Sequence, residues 1–183
     1  MKKGFTLVEL LGIFSIMAAI FILAVPAITN LLKKATENEF YTFEENVFLS
    51  AEAYISNNKD SYPELRETNK KTYVTIETLL NANYLNSTLM NPATKKKTSE
   101  ETRNVIIVYM DQKGLYVYEL ISNVKDEETA AIKSYEALTS NPTASEKASV
   151  QAKIDALPNG SIKEALQNKI GEWYENNSRF WFK

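Results

Sequence analysis

One carboxylate, Glu9, lies at the start of a long apolar stretch near the N-terminus. The residues from Leu10 to Ile28 carry no charge. An acidic side chain inside a membrane helix costs about 2.5–3.5 kcal/mol even on lenient insertion scales. A carboxylate at this place therefore indicates either a specific positively charged partner or hydration at the lipid headgroups.

The sequence lacks two residue types, cysteine and histidine, on which many enzymes of this size depend. The 183 residues include no cysteine and no histidine, so the sequence lacks thiol nucleophiles, disulfides, Cys-ligated zinc and the commonest general base. It also lacks a glycine-rich phosphate loop. Three acidic pairs show no spacing for acid–base work: Glu44–Glu45, Glu100–Glu101 and Glu127–Glu128. We therefore predict that the chain is not an enzyme and has no catalytic residue, cofactor or metal site.

The charge balance gives no support to a nucleic-acid-binding protein. The formal net charge is −2, with 21 basic and 23 acidic side chains. The lysine run Lys95–Lys97 lies in a polar segment, where we expect solvated side chains rather than a phosphate site.

The apolar stretch is long enough to cross a membrane. At about 1.5 Å per residue, Leu10–Ile28 approaches the ~30 Å thickness of the hydrocarbon core. Lysines precede and follow it, so flanking charge gives no orientation. A cleaved secretory signal would be shorter and would end in a small-x-small site, and a plain signal anchor leaves Glu9 unexplained.

The string KKGFTLVELL, residues 2–11, resembles the class III signal of the type IV pilin superfamily. In that family a short basic leader ends in glycine, a membrane peptidase cuts after it, and the new first residue, usually phenylalanine, is N-methylated. The resemblance implies cleavage between Gly4 and Phe5, methylation of Phe5, and Glu9 as the acidic fifth mature residue. It is strong over about the first fifty residues and weaker beyond.

The resemblance also implies a partner for Glu9. In the family the acidic residue faces the α-amine of a neighbouring subunit, so Glu9 of one chain would face the Phe5 amine of the next. Charges about 4 Å apart attract by several kcal/mol at an intermediate effective dielectric. Pro26 removes a backbone hydrogen bond and predicts a kink, and a proline at this depth recurs in pilins. Gly12 either permits close helix contact or belongs to a segment that changes conformation.

The helical pattern continues beyond the membrane segment. Apolar residues recur at steps of three and four, with glutamates largely between them. These apolar residues are Phe40, Phe43, Val47, Ala51 and Tyr54. We predict one N-terminal spine helix within residues 5–58, with a transmembrane segment at about residues 8–32, whose amphipathic half packs on the rest of the domain.

Residues 59–124 predict a small α+β head. RNVIIVYM and LYVYELI are rich in β-branched and aromatic residues, and DQKG joins them, which predicts an antiparallel hairpin over about residues 103–121. Two strands are marginal in water, so a further strand is expected. The segment from Tyr73 predicts a short strand or helix entry and then a short helix, and VTIETLLNANYLNSTLMNP is similar to the region after the spine helix in pilin-like proteins of Gram-positive bacteria.

Residues 125–183 predict a helical C-terminal extension. Acidic residues at 126–128 favour a helix N-terminus, and TASE (Thr143–Glu146) and SIKE (Ser161–Glu164) have capping-box spacing. Two to three short helices follow, with breaks near Asn141-Pro142 and Pro158-Asn159-Gly160. The terminus concentrates aromatic residues, which either pack back on the domain or form a contact surface. They are Trp173, Tyr174, Phe180, Trp181 and Phe182.

The predicted fold class is therefore α+β, a long spine helix packed on a small antiparallel sheet with a helical C-terminal extension. We predict a leader at residues 1–4 and a prepilin of a type IV pilus (a fimbrium), anchored in the cell membrane and then assembled into a surface filament. Its implied partners are a prepilin peptidase/N-methyltransferase, other pilin subunits, and an assembly platform with its ATPase. The alternatives are a pseudopilin of a type II secretion or competence DNA-uptake machine and a membrane-anchored binding module.

Overall fold

The structure is a computed structural model that describes residues 6–139 and 142–178. Its contacts divide the chain into two compact units, Met1–Thr42 and Phe43–Lys183. The longest element is helix α1, Leu7–Asn57. The predicted N-terminal spine helix is therefore confirmed, and the fold is α+β.

A three-stranded antiparallel sheet forms the centre of the second unit. Its strands β1, β2 and β3 lie in that order and span Thr72–Thr75, Val105–Met110 and Tyr116–Ile121. Val105 is opposite Thr75 on one side and opposite Ile121 on the other. The predicted hairpin and the further strand expected beside it are both confirmed.

One aspartate fixes the turn between β2 and β3. The Asp111 Oδ1 atom accepts backbone hydrogen bonds from Lys113 and Leu115, both at 2.8 Å. Gly114 has a φ of 80°, in the left-handed region that glycine adopts without strain. The DQKG sequence thus closes the hairpin through the turn chemistry that its residue types predict.

Three helices cover one face of the sheet. They are α3, α4 and α5, which span Asp126–Glu136, Ala144–Ala156 and Ser161–Ser178. Val105 and Ile107 of β2 share a core with them and are fully buried. The helices contribute Ala131, Ile132, Val150, Ile154, Ile162, Ala165, Leu166 and Ile170 to this core. The predicted C-terminal helical extension is therefore present, and it packs on the sheet.

The second half of α1 belongs to the opposite face. Ile106 and Val108 alternate with the residues just described and are also fully buried, so both faces of β2 are covered. Phe48 of α1 stacks on Tyr118 of β3 with ring centroids 5.8 Å apart. In the apolar stripe of α1, the three members Phe43, Val47 and Ala51 are buried, and Phe40 and Tyr54 are half-buried. The amphipathic half of the spine thus packs as its period predicts.

The N-terminal caps of α3 and α4 agree with the sequence prediction, and that of α5 differs from it. Thr143 and Glu146 form the predicted capping box of α4, with the Thr143 hydroxyl accepting from the Glu146 N–H. At α3, Glu128 accepts the Lys125 N–H at 2.9 Å. At the SIKE segment, Glu164 pairs instead with the Lys71 Nζ at 2.7 Å, so its carboxylate joins α5 to the start of β1.

The segment between the short helix α2, Ile76–Asn81, and β2 is held by a buried carboxylate. Glu101 is 9% exposed, and its two oxygens accept from the Asn91 Nδ2 at 3.0 Å and from the Thr94 hydroxyl at 2.6 Å. Asn91 is 1% exposed and also accepts the Ala93 N–H. The network fixes the loop that carries the exposed lysines 95–97.

We expect Glu101→Ala to lower the free energy of unfolding by about 2 kcal/mol, because it leaves the buried Asn91 amide and the Thr94 hydroxyl without their acceptor. Urea titration of the chain in micelles, followed by near-UV circular dichroism, measures the change. Glu119→Ala is the matched control, since Glu119 is exposed on β3. Equal stability of the two variants would contradict a structural role for the Glu101 network.

Candidate functional site

The first turn of α1 holds the Glu9 carboxylate in a capping box with Thr6. The Glu9 Oε2 atom accepts from the Thr6 backbone N–H at 2.8 Å and from the Thr6 hydroxyl at 2.8 Å. The Glu9 N–H donates to the Thr6 hydroxyl oxygen at 3.3 Å. This reciprocal arrangement satisfies donors that a helix N-terminus otherwise leaves free. Glu9 is therefore part of the local structure of its own chain as well as a candidate contact.

The cap uses one of the two oxygens of the Glu9 carboxylate. A carboxylate in the first turn is favoured by the helix dipole, whose positive end lies there. Both hydrogen bonds from Thr6 go to the Oε2 atom, and the Oε1 atom has no hydrogen-bond partner among the described residues. The Thr6-x-x-Glu9 spacing is itself a capping-box signature, so this cap could have been predicted from the sequence.

The segment that follows Glu9 exposes a continuous apolar surface. Among the described residues, α1 is a helix long and apolar enough to cross a membrane. Its large apolar side chains from Leu7 to Leu32 are between 44% and 79% exposed, apart from that of Leu23, which lies outside what the structure describes. Such a surface is unfavourable in water, and its length and composition match a membrane span.

Polar groups inside the apolar segment are satisfied within the helix. The Ser15 hydroxyl donates to the Leu11 carbonyl at 2.9 Å, and the Thr29 hydroxyl donates to the Val25 carbonyl at 2.8 Å. These bonds remove donors that would otherwise be unpaired in hydrocarbon. Pro26 lies inside α1 next to Val25 and has no N–H to give to the preceding turn. A kink there stays a prediction.

Of the four predicted site residues, the structure describes two, and these two are distant from each other. Glu9 and Pro26 both lie on α1, about 25 Å apart along the axis at ~1.5 Å per residue. Gly4 and Phe5, the predicted processing site, lie outside the described residues. A Cβ at Gly12 would meet nothing within 4 Å, so packing within one chain does not require a glycine there. The close approach of another helix at Gly12 stays a prediction.

The aromatic terminus can be described only in part. The backbone of Trp173 and Tyr174 belongs to α5, and their side chains lie outside what the structure describes. Phe180, Trp181 and Phe182 lie beyond the described residues altogether. Both interpretations of this terminus therefore stay predictions.

The second unit contains a buried group of titratable residues that the sequence did not reveal. Lys169 of α5 is 8% exposed, and its Nζ lies 4.3 Å from the ring centroid of Tyr62 and 5.4 Å from that of Tyr73. Glu64 is 2% exposed nearby, and its Oε2 atom has no hydrogen-bond partner among the described residues. The two aromatic faces therefore contact the ammonium, and the Glu64 charge also acts on it.

Burial opposes the charges of both ionisable groups. It raises the pKa of Glu64 and lowers that of Lys169, and each charge partly offsets the effect of burial on the other. Glu136 of α3 acts on Lys169 in the same direction as Glu64. Lys169 and Glu64 occupy segments that are polar in sequence, so no local pattern marks them as buried.

The described residues show no group of acidic side chains placed to hold a metal ion. Comparison of the chain with protein-family models, with curated proteins and with solved structures gives no match. A long N-terminal helix followed by a small antiparallel sheet is compatible with a pilin-like fold. Function must therefore be argued from the N-terminal segment and the charge that it carries.

Proposed function

We propose that this chain is a type IV prepilin, cut between Gly4 and Phe5 and polymerised through the apolar half of α1. The observation that carries the proposal is a capped carboxylate, Glu9, at the head of a helix whose described large apolar side chains from Leu7 to Leu32 are exposed. A membrane explains the apolar surface before assembly. A bundle of the same helices explains it afterwards, with Glu9 as the group that sets their register.

Cleavage after Gly4 would place a new α-amine one residue before the cap. The Thr6 N–H and hydroxyl already occupy the Oε2 atom of Glu9, which leaves the Oε1 atom for a further donor. In the proposed bundle that donor is the Phe5 amine of a neighbouring subunit. Burial of both charges among apolar side chains strengthens their attraction, because few water molecules remain to screen it. The pair orients each incoming subunit rather than catalysing a reaction.

The proposal assigns different partners to different stages. The membrane holds the precursor, a prepilin peptidase/N-methyltransferase processes Gly4 and Phe5, and an assembly platform with its ATPase moves the mature chain into the filament. Pro26 is proposed as the point where α1 bends or unwinds in the filament. The second unit, from Phe43 onward, forms the extracytoplasmic head.

The N-terminus of the protein from its native host tests this proposal. Intact-mass measurement and N-terminal sequencing are expected to give a chain that begins at Phe5 and carries one added methyl group. Gly4→Val is the control, because blocking cleavage should leave Met1 or Lys2 at the terminus. Wild-type protein that still begins at Met1, or that is cut beyond Ala27, would contradict the proposal.

The same proposal includes a pseudopilin as its closest alternative. A pseudopilin would be processed identically but would not form long surface filaments. Electron microscopy of cells that express the processed chain separates the two, since surface filaments containing it indicate a pilus. A membrane-anchored binding module would need α1 only as a tether, and its assembly would not depend on Glu9.

A further inference from the structure

The second unit carries an open cleft that the proposed assembly role does not use. It lies between the last turns of α1, the 3₁₀ turns Lys59–Ser61 and Pro63–Arg66, and strand β3, and its volume is about 350 Å³. Sites for small ligands have volumes of roughly 300–1,000 Å³. The cleft is therefore large enough for a small ligand.

Three tyrosines give the cleft a fixed aromatic wall. Tyr116 and Tyr118 come from β3, and Tyr62 comes from the segment between the 3₁₀ turns. Tyr118 is held by its stacking on Phe48, and Tyr62 lies edge-on to Tyr54 at 6.3 Å. Tyr116 is 50% exposed. The wall is thus formed before any ligand arrives, and one ring presents a large open surface.

The remaining wall is charged and balanced. Lys59 and Arg66 line it with Glu52 and Asp60. Arg66 and Asp60 approach to 3.5 Å, with their side chains 70% and 103% exposed, so this pair contributes little to stability and remains open to a ligand. Burial raises the pKa of Tyr118 to about 12, and the nearby Glu52 charge acts in the same direction. Like any tyrosine below its pKa, Tyr118 has a hydroxyl proton to donate at neutral pH.

We propose that this cleft binds an uncharged oligosaccharide of two or three pyranose units. The two positive and two negative side chains cancel, which disfavours a polyanion, a phosphate or a cation. A purely apolar ligand would desolvate these charges without pairing them. A pyranose ring instead offers an apolar C–H face to the tyrosines, and its hydroxyls both donate to the carboxylates and accept from the lysine and the guanidinium.

Saturation-transfer NMR on the full chain in micelles tests the site. The detergent should carry a phosphocholine headgroup, because a maltoside would itself compete. Maltotriose, cellotriose and chitotriose are the probes, and at least one is expected to receive saturation and to shift the backbone amides of β3 around Tyr116. No transfer to any of the three at concentrations up to about 10 mM would overturn the proposal, since that limit corresponds to binding weaker than about −3 kcal/mol.

Tyr116→Ala provides the residue-level test. Loss of the open ring is expected to weaken binding by about tenfold or more, and Arg66→Gln by several fold. Tyr41→Ala is the matched control, because Tyr41 is 67% exposed and lies outside the cleft. Transfer that is unchanged in Tyr116→Ala, or equally reduced in Tyr41→Ala, would overturn the assignment. The measurement uses unassembled chains, so its outcome is independent of filament formation.

Discussion

Cells that produce Glu9→Gln are expected to assemble about tenfold fewer filaments, or none, while the variant chain remains folded and processed. Glutamine keeps a carbonyl oxygen that can accept from Thr6, so the cap survives and only the charge is lost. The α-amine of the neighbouring subunit then lacks its counter-charge in a low-dielectric bundle, which costs several kcal/mol at about 4 Å. Sheared surface filaments, quantified against total cell-associated chain, measure the effect.

Two further variants separate the charge from the cap. Thr6→Val removes the hydroxyl but keeps the Glu9 carboxylate, so it should cost the helix about 1 kcal/mol and leave assembly largely intact. Glu39→Gln changes an exposed glutamate of the same helix outside the apolar segment and should have no effect. Normal assembly of Glu9→Gln alongside failure of Thr6→Val would show that the cap, and not the charge, is what assembly requires.

Lys169→Met is expected to lower the free energy of unfolding by about 3 kcal/mol at neutral pH. The substitution leaves Glu64 buried without its nearby cation, and an uncompensated buried charge is strongly destabilising. Urea titration followed by near-UV circular dichroism measures the loss. Lys113→Met, at the exposed hairpin turn, is the matched control and should change stability little.

The loss of stability in Lys169→Met should be smaller at low pH than at high pH. The folded pKa of Glu64 is raised, so its folded form holds a proton that the unfolded form releases above about pH 4.3. The stability that the protonated Glu64 side chain contributes is present at lower pH and is lost as the pH rises through the folded pKa of Glu64. Lys169→Met removes the charge that limits this rise, and Glu136 loses the same cation. The variant should therefore be closer to wild type at pH 4.5 than at pH 8.

A double variant tests whether Lys169 and Glu64 act as a pair. Lys169→Met with Glu64→Gln removes both charges and should recover most of the stability, to within about 1 kcal/mol of wild type. Additive losses in the double variant would mean that the two side chains stabilise the head independently. In that case the aromatic rings of Tyr62 and Tyr73 would be the partners of Lys169 that matter.

Elements with a strong local pattern could be predicted from the sequence. The two β-rich runs joined by DQKG form β2 and β3, because turn chemistry and strand propensity agree there. Three members of the apolar stripe of α1, Phe43, Val47 and Ala51, are buried, because its period matches a helix with one covered face. At Thr143 and Glu146 the cap follows directly from spacing.

Features that depend on contacts distant in sequence could not be predicted. Glu164 has capping-box spacing, yet it pairs with Lys71, which is brought near only when α5 packs beside β1. Lys169 and Glu64 lie more than a hundred positions apart in polar segments, and only the assembled core buries them. The cap at Thr6 is a different case, since the spacing of Thr6 and Glu9 is a local signal that the sequence contains.

The hydroxyls of Ser15 and Thr29 have a mechanical consequence for a polymer built from the apolar segment. The Ser15 and Thr29 hydroxyls donate to carbonyls of their own helix, so they have no proton left to donate to a neighbouring helix. Contacts between copies along this segment would then be dispersion forces without direction, which resist separation but resist sliding only weakly. In such a filament, resistance to axial sliding would come mainly from the proposed ion pairs between Glu9 and the Phe5 amine.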